Sequence, residues 1–316
     1  MISITMKSNI LKILSGLLIM ALGLSVFCVV MIYKKTENDE EITQIVTSRI
    51  VTETGTAQTM SFDGLLAGTG SFVSKSMKIG DVPCVLYYAD NYLVRPVIII
   101  QHGLTSSKED MKDLASAFAQ QGYLVITPDA AAHGELKDDS AYSLAELIQK
   151  TSEDFDVILQ YVSESNYIDM DRIGIAGISL GGLSAMYYVK NGSYDPKVVV
   201  SMCATPKFED LAGTDAAYHY MKSGSLVAER DEEKLTQLDQ ALTAISPYES
   251  IFADKKTIYY LLCGDKDQVV PYQGNLELYE AKPEAENLVL KVKEGQGHEV
   301  TEEDMWEILT YVVEHL

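Results

Sequence analysis

Residues 173–182 read Ile-Gly-Ile-Ala-Gly-Ile-Ser-Leu-Gly-Gly, and no other stretch limits the fold of this chain so tightly. An apolar, strand-like run passes without a break into Gly177-Ile178-Ser179-Leu180-Gly181, the G-x-S-x-G pattern of a serine held on a sharp turn between a strand and a helix. Lifting one side chain above a sheet in so few residues forces an unusual backbone and leaves no space for neighbouring Cβ atoms, so Gly177 and Gly181 are expected to be obligatory glycines. Alanine, methionine and tyrosine at helical spacing follow, which supplies the helix that the pattern requires. Ser179 is therefore the first candidate for a nucleophile.

Around this junction, strand-like and helix-like segments alternate. Residues 71–79 and 82–89 are expected to pair antiparallel across the Gly80-Asp81 turn. The wholly apolar run at 97–101 has the character of a central parallel strand, buried on both faces. Helices are predicted over 108–121, 143–163, 180–190, 272–281 and 302–314, and further strands over 124–127, 173–176, 197–203, 257–263 and 288–292. Alternation of this kind builds a mostly parallel sheet with helices on both faces. The interval 205–255 is too long for a simple connection and contains a helix-forming stretch at 232–245, so a cap inserted over the carboxyl ends of the strands is expected.

A serine hydroxyl is a weak nucleophile at neutral pH and needs a base, which in turn needs a group to orient it. Both candidates lie just past the ends of predicted strands. Gly264-Asp265-Lys266-Asp267-Gln268-Val269-Val270-Pro271 follows one, and Gly295-Gln296-Gly297-His298-Glu299 follows the last. Of the five histidines, His298 is the one set between glycines and a terminal helix, and imidazole is the side chain suited to taking and returning a proton.

The chain order Ser179, Asp267, His298 resembles that of the α/β-hydrolase superfamily, and the match spans nearly everything beyond residue 60. That resemblance implies a mostly parallel eight-stranded sheet. It also assigns the orienting role to Asp267 within Gly264-x-x-Asp267-x-x-Val270-Pro271 and leaves Asp265 as a solvated loop carboxylate. Gln101-His102-Gly103-Leu104 resembles the family's His-Gly oxyanion loop, so the backbone N–H groups of Leu104 and Leu180 are expected to hold a developing oxyanion. His102 is then a brace for that loop. His133, in a segment resembling Asp-x-x-x-His-Gly, is read as loop scaffold with a possible substrate contact, as is His219 in the cap. His315 is placed at a frayed C-terminus. A serine nucleophile, the two N-terminal strands and the cap are most similar to the esterase, dienelactone-hydrolase-like and prolyl-oligopeptidase-like branch.

Composition excludes other classes. A formal net charge of −21 opposes binding to a phosphate backbone, and 47% hydrophobic residues over 316 positions suffice for one large domain. Residues 13–33 carry no charge and are long enough, at about 1.5 Å per residue, to cross a bilayer core of about 30 Å. The reading is an uncleaved membrane anchor over 1–35, a polar stalk over 36–60 and a catalytic domain over 61–316, exported to the outer side. Cys84, Cys203 and Cys263 each fall in an apolar run with no C-x-x-C spacing, so they read as small buried hydrophobes, with no metal site. The expected activity is that of a cofactor-independent serine carboxylesterase acting on small or medium acyl esters. Two alternatives stand beside it: a serine peptidase that holds a substrate ammonium on Glu209, Asp210 or Asp215, and a catalytically silent binding module.

Overall fold

The apolar run at 97–101 forms the middle of a strand whose seven residues are all buried. This is the behaviour required of a sheet covered on both sides, where every position faces a hydrophobic layer. The computed structural model describes residues 72–89, 94–137, 142–212, 214 and 232–316. The expected anchor and stalk lie outside them. No helix among the described residues is long and apolar enough to cross a membrane.

Eight strands make a single sheet in the order β1-β2-β4-β3-β5-β6-β7-β8. They are β1 (Phe72–Ile79), β2 (Val82–Ala89), β3 (Arg95–Gln101), β4 (Leu124–Pro128), β5 (Ile168–Ile178), β6 (Val198–Met202), β7 (Ile258–Gly264) and β8 (Leu288–Lys293). The first two pair antiparallel around the predicted turn, with Ile79 opposite Val82, and β2 runs antiparallel to β4. All later pairings are parallel. The exchange of β3 and β4 puts the β3–β5 pair at the centre, in register Gln101 to Gly177. The loops that carry His102 and Ser179 therefore leave neighbouring strands side by side, in the place where sheets of this type bind ligands.

Helices cover both faces. One core layer collects Leu147, Phe155 and Leu159 from α2 (Leu144–Ser163) and Leu183 and Met186 from α3 (Leu180–Asn191). The other takes Leu114 and Phe118 from α1 (Lys112–Gln120) and Ile308 and Val312 from the C-terminal helix α7 (Glu302–His315). Two helix starts are fixed by reciprocal capping. Ser143 N–H donates to Glu146 at 2.7 Å while Glu146 N–H returns a bond to Ser143 Oγ at 3.2 Å, and Thr301 and Asp304 do the same for α7.

In the cap interval, α4 (Glu232–Ile245) lies where a helix was predicted and buries Leu235, Leu238 and Leu242. It is followed by the short α5 (Tyr248–Ala253). His219 and Asp215 are outside the described residues. Between β7 and β8 runs α6 (Gln273–Ala281).

Three details differ from expectation. Residues 108–111 form a 3₁₀ turn before α1 begins, because Lys108 is tied down by its backbone and side chain to Asp129. Strand β5 starts at Ile168, five residues earlier than its apolar core, since Ile168 and Asp169 pair with Arg95 and Pro96 before an irregularity at Pro96/Val97 resets the register to Ile173. The C-terminus is not frayed. His315 stacks on Tyr311 with ring centroids 4.0 Å apart, and Leu316 is buried.

Candidate active site

Ser179 occupies the junction of β5 and α3 with φ 55° and ψ −115°, a left-handed conformation that costs a non-glycine residue on the order of 1–3 kcal/mol. Neighbouring contacts hold it there. Its N–H donates to Met202 O at 2.8 Å. A Cβ added to Gly177 would collide with the carbonyl of Gly181, and one on Gly181 would collide with the carbonyl of Gln101. The two glycines thus let β3, β5 and α3 converge beneath the serine.

His298 approaches from the loop after β8. Its Nε2 lies 3.0 Å from Ser179 Oγ, and its Nδ1 lies 2.7 Å from Asp267 Oδ2. The second Asp267 oxygen accepts the N–H groups of Val269 and Val270 at 2.8 and 2.9 Å. With one oxygen fixed by the turn, the other is aimed at the imidazole. Asp267 is closed off from solvent, whereas the His298 side chain keeps 23% of its exposure. A neutral imidazole in this arrangement carries its proton on Nδ1 and offers a lone pair to the serine hydroxyl.

The His298 loop is itself braced. Lys266 N–H donates to Gln296 O at 2.9 Å, and the Gln296 amide donates to Glu299 O and to Asp304 at 2.8 and 2.9 Å. A Cβ on Gly264 would strike the Gln296 carbonyl. Asp265 is not the solvated carboxylate that was expected. It accepts the Gly295 N–H at 2.6 Å and so ties the loop after β7 to the loop after β8. Burial opposes ionisation of Asp304, but bonds from Thr301, Lys293 and Gln296 outweigh it and hold its carboxyl below the usual carboxylate range.

On the other side of the serine, Gly103 packs so closely that a Cβ there would meet Ile178 O at 3.2 Å and Ser179 Cβ at 3.3 Å. This places the Gly103-Leu104 backbone against Ser179. Leu180 is the first residue of α3, and its N–H is one of those that a helix cannot satisfy internally. His102 is completely buried. Its Nε2 accepts the Ala130 N–H at 3.0 Å, which leaves the proton on Nδ1, 2.7 Å from Gly103 O. Burial lowers its pKa, so it remains neutral and serves as a brace. His133 is nearly buried, with Nδ1 2.8 Å from Ala131 O and its ring centroid 5.7 Å from that of His102.

Two further features were not anticipated. Asp129, fully buried at the end of β4, accepts from Lys108 Nζ at 2.8 Å and from the N–H groups of Lys108 and Glu135 at 3.0 and 2.9 Å. Burial opposes its charge, but these bonds hold its carboxyl below the usual range. The pair fastens the loop that carries Gly103 and Leu104 to the loop after β4. Its trace in the sequence is Gly134, where φ is +52° and a Cβ would collide with the Asp129 carboxylate. The second feature is Cys203, with φ 51°, whose thiol donates to Glu299 O at 3.2 Å beside the Asp267–His298 pair.

Comparison with known proteins agrees with this architecture. The sequence pattern of the prolyl oligopeptidase family (Peptidase_S9) matches residues 110–311. The chain belongs to that family. Esterase YjfP of Escherichia coli (strain K12) is 26% identical over 259 residues, which make up 77% of this chain and 98% of the relative. YitV of Bacillus subtilis (strain 168) is 28% identical over 193 residues, 58% of this chain and 73% of that protein. Among solved structures, TT1662 from Thermus thermophilus superposes with a TM-score of 0.57 at 22% identity, covering 77% of this chain and 97% of the other. The protein is a serine hydrolase of the α/β-hydrolase fold.

Proposed function

We propose that this family member is a carboxylesterase that cleaves small or medium acyl esters through an acyl-enzyme on Ser179. The observation that carries the reading is the continuous chain from Ser179 Oγ through His298 to Asp267, at 3.0 and 2.7 Å. In the first step Ser179 Oγ attacks the ester carbonyl while its proton passes to His298 Nε2. Asp267 holds the imidazole in the required tautomer and stabilises the imidazolium that forms. The N–H groups of Leu104 and Leu180 receive the developing oxyanion, a contribution of about 3 kcal/mol per donor in comparable sites. The imidazolium then protonates the departing alcohol, and water activated by the same imidazole releases the acid. The chemistry calls for no cofactor. Turnover of short p-nitrophenyl esters by the full-length chain, abolished by Ser179→Ala, is the expected result; absence of turnover would remove the proposal.

The uncharged stretch at 13–33 supports a single-pass anchor with the catalytic domain on the outer side of the membrane. Recovery of the chain in the membrane fraction, with its domain digested by protease on intact cells, is expected. A serine peptidase is the second reading, favoured by the family to which the chain belongs. In it, Glu209 and Asp210, on the 3₁₀ turn just beyond β6, would hold a substrate ammonium. Aminoacyl arylamides assayed beside simple esters separate the two, since a peptidase must also protonate a poor amine leaving group.

A further inference from the structure

Cys203 brings a third donor atom to the Asp267–His298 pair. Its Sγ, a carboxylate oxygen of Asp267 and an imidazole nitrogen of His298 all lie within 4.8 Å of one another, the one such trio of potential metal ligands among the described residues. The nitrogen that faces the carboxylate is Nδ1. From this convergence we infer that a thiophilic divalent cation of the zinc class binds Cys203 Sγ, Asp267 and His298 Nδ1 and switches the enzyme off. The inference rests on His298 being the base that serves Ser179.

The donor set selects the ion. Thiolate and imidazole favour Zn²⁺, Co²⁺ or Cd²⁺ over Mg²⁺ and Ca²⁺, which prefer oxygen. Bond lengths of about 2.0–2.3 Å in a tetrahedral shell set donors roughly 3.5 Å apart. The carboxylate and imidazole, 2.7 Å apart, would separate slightly and the thiol would close in. His298 sits in a loop with an exposed edge, which gives both the freedom to adjust and the way in. The fourth position is left to water.

Inhibition follows from the tautomer. In the free enzyme Nδ1 holds the imidazole proton against Asp267 and Nε2 is the lone-pair base. An ion on Nδ1 takes that proton's place, so the neutral imidazole must carry its proton on Nε2, and the base facing Ser179 is lost. The thiol proton goes to solvent. The balance is one divalent ion bound, one proton released, and no change of oxidation state. Burial and the Asp267 charge push the free thiol up to about 12, so the ion displaces a proton that is otherwise firmly held. Inhibition then strengthens by about tenfold per pH unit.

The test uses the full-length chain, purified in detergent and kept free of oxygen, with ZnCl₂ and CoCl₂ as probes. Ester turnover should be inhibited by Zn²⁺, restored by EDTA and unaffected by Mg²⁺ at the same concentration. Co²⁺ should give a thiolate-to-metal charge-transfer band in the near ultraviolet in the wild type and equally in Ser179→Ala, which reports the site without any activity. A protein that shows the band but no turnover would count against the esterase reading and leave this one standing. Cys203→Ser should lose the band and weaken Zn²⁺ inhibition, relative to its own uninhibited rate, by more than about tenfold. Cys84→Ser and Cys263→Ser should keep both. A wild type without the band, or a Cys203→Ser protein inhibited as strongly as the wild type, overturns the proposal. If Cys203→Ser does not fold, His298→Asn read by Co²⁺ titration serves instead: affinity should fall by at least about tenfold, and unchanged affinity overturns it.

Discussion

His298 Nε2 and Ser179 Oγ stand 3.0 Å apart although 119 residues separate them in the chain. Groups that act as one relay lose their effect together. Ser179→Ala and His298→Ala should each lower kcat for a p-nitrophenyl ester by about 10⁶-fold, and the double substitution should cost no more than either alone. Asp267→Asn should cost about 10⁴-fold, the result of a wrong tautomer in an intact frame. Asp267→Ala should also lower the melting temperature, since it removes the acceptor for Val269 and Val270 N–H. Steady-state kinetics and thermal unfolding of the four variants check these expectations.

The glycines under the serine are tested by the smallest possible side chain. Gly177→Ala and Gly181→Ala place a methyl group against the carbonyls of Gly181 and Gln101 respectively, and backbone cannot swing aside as a flexible side chain can. Each should destabilise the protein by about 1–3 kcal/mol or more and remove activity. Gly122→Ala is a useful contrast, because nothing lies within 4 Å of its added Cβ and only its φ of +94° resists the change. Urea denaturation and labelling by a serine-reactive fluorophosphonate read both effects.

Lys108 and Asp129 form a buried pair whose halves cannot be removed separately without cost. Lys108→Met leaves the Asp129 carboxylate enclosed without its counter-charge and should cost about 3–5 kcal/mol. Asp129→Asn should be destabilising too, and the double variant Lys108→Met/Asp129→Asn less so than either single one. Because the pair holds the Gly103-Leu104 loop, the single variants should lose kcat more than KM. A double-mutant cycle on unfolding free energy, with kinetics alongside, decides this.

Asp154 in α2 is shifted by burial, with a smaller push from Glu153 against an opposing one from Lys150, from 3.8 to about 7. Between those values the folded chain keeps a proton that the unfolded chain has released, so unfolding free energy falls as pH rises from about 4 to about 7 and then levels off. Asp154→Asn should remove this component. The variant is expected to gain on the wild type in urea midpoint at pH 8 relative to pH 5, and equal differences at the two values would refute the assignment.

Much of this was legible in the sequence because the decisive signals are local. The run at 97–101, the Gly80-Asp81 turn and the glycines flanking Ser179 each carry their meaning within a few residues. The order of Ser179, Asp267 and His298 was legible through family resemblance. What stayed hidden depends on partners remote in the chain. The polar residues Asp169 to Arg172 conceal the early start of β5, whose pairing with Arg95 and Pro96 only the sheet reveals. Asp265 reads as one more loop carboxylate until Gly295 is brought to it. Cys203 lies in an apolar run like any core cysteine, and only its left-handed backbone turns the thiol toward Glu299 and the neighbouring imidazole.

An amine enclosed by Asp129, Glu109 and Glu135, with 3% of its surface open, is withheld from acylating reagents that reach ordinary surface lysines. Lys108 can be acylated only when the loop around the oxyanion site lifts away from the end of β4. The rate at which it acquires such a label therefore clocks that opening, at a single named position and without any substrate in the assay.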